Sequence, residues 1–545
     1  QLNEQAMSLK VTDLQSGDAR AVYKNSGMDM RTYKRLQMFV HAEKLIDDKT
    51  NLRDGDVSVF LRLGSDSKSN YYEYEVPLSL TEPGNYSTYN AQDQEAVWPQ
   101  SNMFDFPLSL FTDLKLERNA KKRMDNSTVT FQTRYSSYDP DKNQNKVTIV
   151  GNPSLSDVRT MMIGVRNNSN AAKDIVVWVN EMRLTDFDQS GGWAAKANVN
   201  LGLSDIATLN IAGHVETVGF GGIDQSLTER RLDDYYQYNI ATMVELGRFL
   251  PEKVKLKAPL FYSITEQRTS PKYNPLDQDI LLKDALDNAG SKAERDSISD
   301  ASIEKSTVES FSLSGVSFDI RSKNPMPYDP ANFSISYSYN RQSKQDPTTE
   351  FENTYDYRGS FTYSYAPFVK PFVPLKGLKS KSKHLKFLKE WEFNYLPNNI
   401  AFNTNMSRYY YEQQIRDVSG SGGMALPTSV SKSFLWDRQF SLTWNLTKSI
   451  NLSLQTMTNA HVEEPVGVVN KQLFPDEYEA WKDTVLTSIK NLGTPWNYNQ
   501  TFNASYAAPF SKIPVLDYLS FNAKYNATYT WDRGAQISEE IDLGN

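Results

Sequence analysis

From about Trp193 onward the chain places an apolar or aromatic side chain at every second position, with small polar residues between them. Phe333-Ser334-Ile335-Ser336-Tyr337-Ser338-Tyr339 is the clearest run, and 519–529 is the longest unbroken one. A period of two describes a β-strand with one face in an apolar medium and the other in water. Run length narrows the choice further. Strands of soluble domains average about 5–6 residues, whereas strands that cross a bilayer need roughly 9–11. Several runs reach the second length, which predicts an outer-membrane-type β-barrel wall.

Composition is compatible with that wall. No apolar stretch approaches the ~18 residues of a transmembrane helix, but alternating strands average out in such a scan. The 31 Tyr and 9 Trp suit the aromatic girdles of a barrel, although any β-rich protein favours Tyr. The formal charge of −7 argues against a nucleic-acid partner. With no Cys there is no disulfide, thiolate zinc site or thiol nucleophile. Gln1 opens no charged and apolar leader, so the expectation is a processed chain or an internal piece of a longer one.

Residues 1–190 read as a soluble β-sandwich domain, jelly-roll-like, of about seven short strands and one helix. Leu36, Met38, Val40 and Ala42 alternate, as do Val57, Val59, Leu61 and Leu63. Phe106–Lys122 is the predicted helix, ending in basic residues that suit a C-terminus. Gln189-Ser190-Gly191-Gly192 marks the boundary, and 191–545 reads as barrel wall. There, Asn198 and Asn200 face away from Val199 and Leu201, while Asn210, Gln237 and Asn239 occupy polar positions on the next strands. Together with Ser334, Ser336, Ser338, Asn522 and Asn526 they are the candidate lumen-facing residues. Pro259 interrupts a run and is the candidate bulge or opening. Long polar loops are expected at 266–308 and 411–435, the first with helix over Asp277–Ala289. The count is about thirteen long strands, including one at 388–396. Closed single-chain barrels have even numbers, so an odd count suggests that part of the wall lies outside this sequence.

Sites for chemistry are not evident. His41, His214, His384 and His461 are scattered, with no i, i+4 pair. Asp139-Pro140-Asp141-Lys142-Asn143 begins like a calcium loop, but Gln144 and Val150 stand where Gly and Glu are required. Gly219-Phe220-Gly221-Gly222 lacks phosphate-loop spacing. No metal, no cofactor and no enzymatic activity are expected.

Longer strings are more specific. Asp18–Lys24 leading to Tyr33-Lys34-Arg35-Leu36-Gln37-Met38-Phe39-Val40-His41-Ala42-Glu43, then Trp178–Phe187, Ser270–Asp277, and 513–518 leading to Tyr525–Arg533 resemble the SprA/Sov family. That family is the giant outer-membrane translocon of the type IX secretion system of Bacteroidetes. The resemblance implies one segment of a very large antiparallel barrel in the bacterial outer membrane. It also implies a pore passing folded cargo with a C-terminal secretion signal, a role in gliding motility, and two partners: a PorV-like barrel and a periplasmic plug. A soluble or surface-attached carbohydrate-binding or adhesive β-sandwich protein is the alternative. A carbohydrate-active enzyme is a more distant one, since no convincing carboxylate pair occurs.

Overall fold

The computed structural model describes residues 5–375, 377, 389–417, 426–472, 474–513, 516–534, 536–538 and 541–542. The chain is all-β in character, with few helices, and divides into two compact units. Unit 1 comprises 1–194, 216–235 and 269–303; unit 2 comprises 195–215, 236–268 and 304–545.

Unit 1 begins with ten strands and two helices. They are β1 (Met7–Leu14), β2 (Ala19–Met28), β3 (Tyr33–Glu43), β4 (Val57–Gly64), β5 (Tyr71–Pro77), α1 (Ala91–Val97), β6 (Phe104–Pro107), α2 (Ser109–Lys122), β7 (Tyr135–Tyr138), β8 (Lys146–Val150), β9 (Val158–Asn167) and β10 (Lys173–Phe187). One sheet runs β1-β10-β3-β6 and the other β2-β9-β4-β5-β8-β7. Setting aside the β7–β8 hairpin, the strands interleave as two four-stranded sheets in jelly-roll order. The alternation in β3 and β4 is what closes the sandwich. Met38, Val40, Val59 and Leu61 point inward and are essentially inaccessible, with Tyr74 and Phe106 stacked at 3.9 Å between centroids. Each such side chain contributes roughly 1.5–3 kcal/mol by leaving water. Phe111 and Leu114 of α2 seal one side of the core.

Apart from a separate two-stranded ladder of Gln536–Ser538 and Ile541–Asp542, unit 2 is dominated by one large sheet. Its strands are β11 (Ala194–Leu203), β12 (Ala207–Glu216), β13 (Asp233–Glu245), β14 (Leu256–Lys257) and β15 (Pro259–Pro271). After β16 (Tyr273–Asn274), β17 (Asp277–Leu281), α3 (Leu282–Asp287) and α4 (Lys292–Ser302) in unit 1, it resumes. It continues with β18 (Glu304–Phe318), β19 (Phe333–Gln345), β20 (Thr349–Tyr365), β21 (Asn399–Ile415), β22 (Ser429–Asn445), β23 (Ile450–His461), β24 (Thr494–Ala507) and β25 (Asn522–Asp532). The order is β11-β12-β13-β15-β18-β19-β20-β21-β22-β23-β24-β25, with β14 added beside β18. From β18 to β25 every neighbour is antiparallel. Among the described residues the sheet is not closed: β11 and β25 each have one neighbour. β20, β21 and β22 each run 17 residues, well beyond soluble strand lengths.

Several expectations are corrected. The stretch 388–396 is not a strand where it is described; it holds one isolated bridge, Phe393 to Phe372. Three alternating aromatics are too short a run to compete with the proline and turns around them. Residues 266–308 are not a loop but carry strand and helix, because their acidic residues find cationic partners in unit 1. The expected helix over 277–289 is strand β17 first and helix only from Leu282. The loop 411–435 is shortened from both sides by β21 and β22, and 418–425 lies outside the described residues. Segments 216–235 and 269–303, assigned from sequence to the second domain, pack with the first.

Candidate functional site

The large sheet has two chemically different faces, and the strand register fixes which residue belongs to which. Residues paired across an antiparallel ladder point to the same side. Ser336 pairs with Ser360, Ser360 with Asn405, Asn405 with Asp437, Asp437 with Asn459, Asn459 with Asn497, and Asn497 with Asp532. That polar row crosses seven consecutive strands. A parallel row runs Ser334, Thr362, Asn403, Gln439, Met457, Asn499, Thr530, with Met457 its one apolar member. Thr443, Ser453, Asn503 and Asn526 form a third. Ser334, Ser336, Ser338, Asn522 and Asn526, expected to share a face from sequence, therefore do share one, though 184 residues separate Ser338 from Asn522 (522 − 338).

The earlier strands join through side chains. Tyr262 donates to Glu309, which alternates with Phe311 on the aromatic face, at 3.1 Å. Asn239 donates to Thr265 at 2.6 Å on the opposite face, placing Asn239 and Gln237 on the polar side. Asn198, Asn200 and Asn210 are exposed positions of β11 and β12. Pro259 stands at the first position of β15, where its missing N–H removes no interior ladder bond. The interruption falls at Ala258, whose N–H donates to Glu245 at 2.8 Å, and β15 lies between β13 and β18 in the sheet.

The other face is aromatic and aliphatic. Phe333, Tyr363, Phe402 and Phe440 form one row; Tyr365, Ile400, Leu442, Leu454 and Phe502 form the next. Phe333–Tyr363 and Phe502–Tyr525 approach to 5.1 and 6.3 Å. From Ile450 to Thr458, with Thr456 and Thr458 its polar members, this face covers nine residues, or eight steps of ~3.4 Å and about 27 Å along the strand. A strand stretch of that length, tilted by ~40° as in outer-membrane barrels, would rise about 21 Å, near the ~25 Å apolar band such barrels carry. Arg438 is a charged member of this face, as Glu309 and Arg408 are on other strands, and its guanidinium stacks on Trp436 at 4.8 Å.

Beyond that band the same face is roofed by the β23–β24 connection. The helix Pro475–Lys490 buries Val485 against Phe434, Trp436, Ala460 and Val462, with Trp481 beside them. Glu464 accepts hydrogen bonds from Arg408 at 2.8 Å and from the Trp481 indole at 2.6 Å, with its side chain only 5% exposed. No local signal in the sequence marks the ion pair that seats this helix, since Arg408 and Glu464 lie 56 positions apart.

Unit 1 holds a second polar centre. Lys115 is fully buried, with its ammonium donating to Asp277, to Asp279 at 2.8 Å and to the Pro153 carbonyl at 2.8 Å. Asp279 also accepts from the Tyr72 hydroxyl at 2.6 Å and the Leu155 N–H at 3.2 Å. Burial pushes the Asp277 carboxyl above the usual carboxylate range despite Lys115. Nearby, Arg31 donates to the Gln278 carbonyl at 2.9 Å, and Lys272 to Asp188 at 2.8 Å. The Lys272 contact holds the Asp188 carboxyl down at about 2. These contacts dock the 269–303 segment onto the jelly roll. Glu73, also fully buried, stays ionised below its usual range: burial opposes its charge, but Arg166, Arg62 and Arg134 outweigh that.

Among the described residues no group of three His, Asp or Glu side chains is placed to hold a metal. His41 bonds the Val97 carbonyl at 2.6 Å, and Asp139 accepts from Tyr74 at 2.6 Å, both inside the jelly roll; His384 lies outside the described residues. No helix among the described residues is long and apolar enough to cross a membrane.

A family model for the SprA N-terminal region, described as a motility related/secretion protein, matches residues 1–286. The chain belongs to the SprA family. No curated protein matches it. The family match covers the jelly roll, the strands β11 to β15 and the segment through most of α3, so the SprA-family unit is itself woven from both structural units. The protein is therefore motility- and secretion-related.

Proposed function

We propose that the large sheet is a segment of the wall of a very large outer-membrane β-barrel, and that its polar face lines a pore conducting folded proteins. The observation that carries this reading is the register: a hydroxyl- and amide-rich face continuous from β18 to β25, backed by an apolar face of bilayer height. A lining of short, hydrated side chains with scattered charges of both signs, such as Asp437 and Arg358, binds many cargo surfaces weakly, which suits varied passengers. In hydrocarbon each strand edge must be paired, so β11 and β25 would meet further strands of the wall. Family membership supports the setting in type IX secretion and gliding motility. The partners would then be a PorV-like outer-membrane barrel, a periplasmic plug, lipid, and cargo bearing a C-terminal signal. The protein would act by passage, without a chemical step and without nucleic acid.

The sequence has no cysteine, so single-cysteine labelling has a clean background. Asn405→Cys, Asn459→Cys and Asn526→Cys should react in intact cells or outer-membrane vesicles with a hydrophilic maleimide. Phe402→Cys, Leu442→Cys and Leu454→Cys should be shielded from it and react with a lipid-phase reagent. Equal labelling of both sets, as for a soluble adhesive sheet wet on both sides, would sink the proposal. A pore lining also requires that Asn526→Arg slow secretion while the protein still inserts.

A further inference from the structure

Among the described residues the jelly roll leaves one edge of a long strand unpaired. β2 is the edge of the six-stranded sheet and, among the described residues, pairs with β9 alone. Nine of its ten residues are exposed and none is buried, Tyr23 being 67% accessible. Ala19–Asn25 keeps an unbroken register with β9, so the outer row of backbone N–H and C=O groups is regular. Such an edge is a template for another strand unless it is blocked or covered.

The edge leads into a pocket. Val22 and Lys24 pair with Ile163 and Met161, so they share the face of β9 that turns toward the other sheet. At the end of that face, a cavity of about 570 Å³ opens between the two sheets. Met28, Met161, Met182 and Leu184 line it, with Leu227 and Leu232 from the β12–β13 connection. Met28 and Met182 are partly exposed at its mouth. Unbranched thioether side chains adapt to varied apolar groups. The bulge in β10 after Asn180, with Glu181 at φ 48°, lies beside Met182.

Charge selects the occupant. β2 carries Arg20 and Lys24 and no acidic residue. Lys24 has no carboxylate within ion-pair distance among the described residues, and Arg20 reaches Asp18 only at 3.9 Å. Two copies of β2 laid edge to edge would set cation against cation. We infer that β2 and the methionine-lined pocket form one docking site for an extended, acidic polypeptide strand from a partner. The strand would add to the β2 edge, align carboxylates with Arg20 and Lys24, and insert a large apolar side chain between the sheets.

The test uses the full chain in detergent and a dye-labelled, strand-length synthetic peptide alternating Glu and Val and ending in Phe. Fluorescence anisotropy should show saturable binding that weakens with salt. The same peptide N-methylated at alternate residues, which cannot form a ladder, should bind about tenfold or more weaker, as loss of ~1.4 kcal/mol implies. Lys24→Glu should lose the acidic peptide and gain one with Lys in place of Glu. Met182→Glu, at a half-exposed position, should lose the Phe-ended peptide's advantage over one ending in Gly. No saturable binding at millimolar peptide, or equal binding of the N-methylated form, overturns the inference. So does peptide-independent self-association that Lys24→Glu strengthens, which would make a second copy the occupant.

Discussion

Replacing Asp279 with Asn should release the 269–303 segment from the jelly roll, whereas replacing Asp277 with Asn should not. The two carboxylates flank one ammonium, so the contrast isolates what each does. Asp279 is fully buried and accepts from three donors: Lys115 at 2.8 Å, Tyr72 at 2.6 Å and Leu155 N–H at 3.2 Å. An Asn amide has one acceptor oxygen and turns an NH₂ toward these donors. At least one buried donor is then orphaned, at about 1–3 kcal/mol. Removing one partner of a buried ion pair costs about 3–5 kcal/mol in all, and Asp277 remains as a counter-charge to Lys115, which holds the total near ~3 kcal/mol. Asp277 is 17% exposed, its ionisation is already opposed by burial, and Asp277→Asn leaves a balanced Lys115–Asp279 pair. Its effect should stay within about 1 kcal/mol. Hydrogen exchange at the Leu155 amide, which donates to Asp279, reads the docking; Leu282 N–H, which donates to the Lys272 carbonyl at 2.9 Å within the segment, reads whether the segment itself stays folded. A loss of ~3 kcal/mol is roughly a 150-fold fall in protection. Equal effects of the two substitutions, or less than about tenfold for Asp279→Asn, would refute the reasoning.

The pH dependence has two opposite signs. Asp277 sits above its ordinary range in the fold, so its contribution is fully present below about pH 4 and fades as pH rises through the raised value; Asp277→Asn should flatten that part of an exchange profile corrected for intrinsic rates. Asp188, held at about 2, contributes above about pH 4 and loses this as pH falls toward about 2; Asp188→Asn should remove the acid-side loss. Glu464→Gln should loosen the helix Pro475–Lys490 by about 3 kcal/mol, since Arg408 keeps its burial and loses its counter-charge; limited proteolysis of that helix is the readout. Gly164→Ala should cost about 1–3 kcal/mol and disturb β2, because a Cβ there meets Phe60 Cζ at 2.5 Å and Ala21 Cβ at 2.6 Å; a melting curve of unit 1 checks it.

The long strands of the large sheet were legible because both halves of their pattern are enforced. At Ser334, Ser336 and Ser338 every neighbour alternates, and a one-residue slip would turn Phe333 and Ile335 to the wrong side. β1 and β2 escaped notice for the opposite reason: they are edges with few inward apolar positions, so little periodicity is imposed on them. The run Ile280-Leu281-Leu282 is apolar enough for either helix or strand, and tertiary pairing with Tyr273 settles it as strand up to Leu281. The Lys115 centre could not be read at all. Its partners lie 162 and 164 positions away, and an isolated Asp-x-Asp looks like any solvated loop until a buried cation is brought against it.

The division of the chain between the units sets an order of assembly. The backbone passes between them five times, at 194/195, 215/216, 235/236, 268/269 and 303/304. Until residues 269–303 arrive, Lys115 has neither carboxylate and Tyr72 lacks its acceptor. The jelly roll thus cannot reach its final stability before β11, β12, β13 and β15 have been delivered. As the chain folds, the sandwich would stay loosely finished while the first strands of the large sheet are laid down, and the arrival of Asp279 would be the step that locks it.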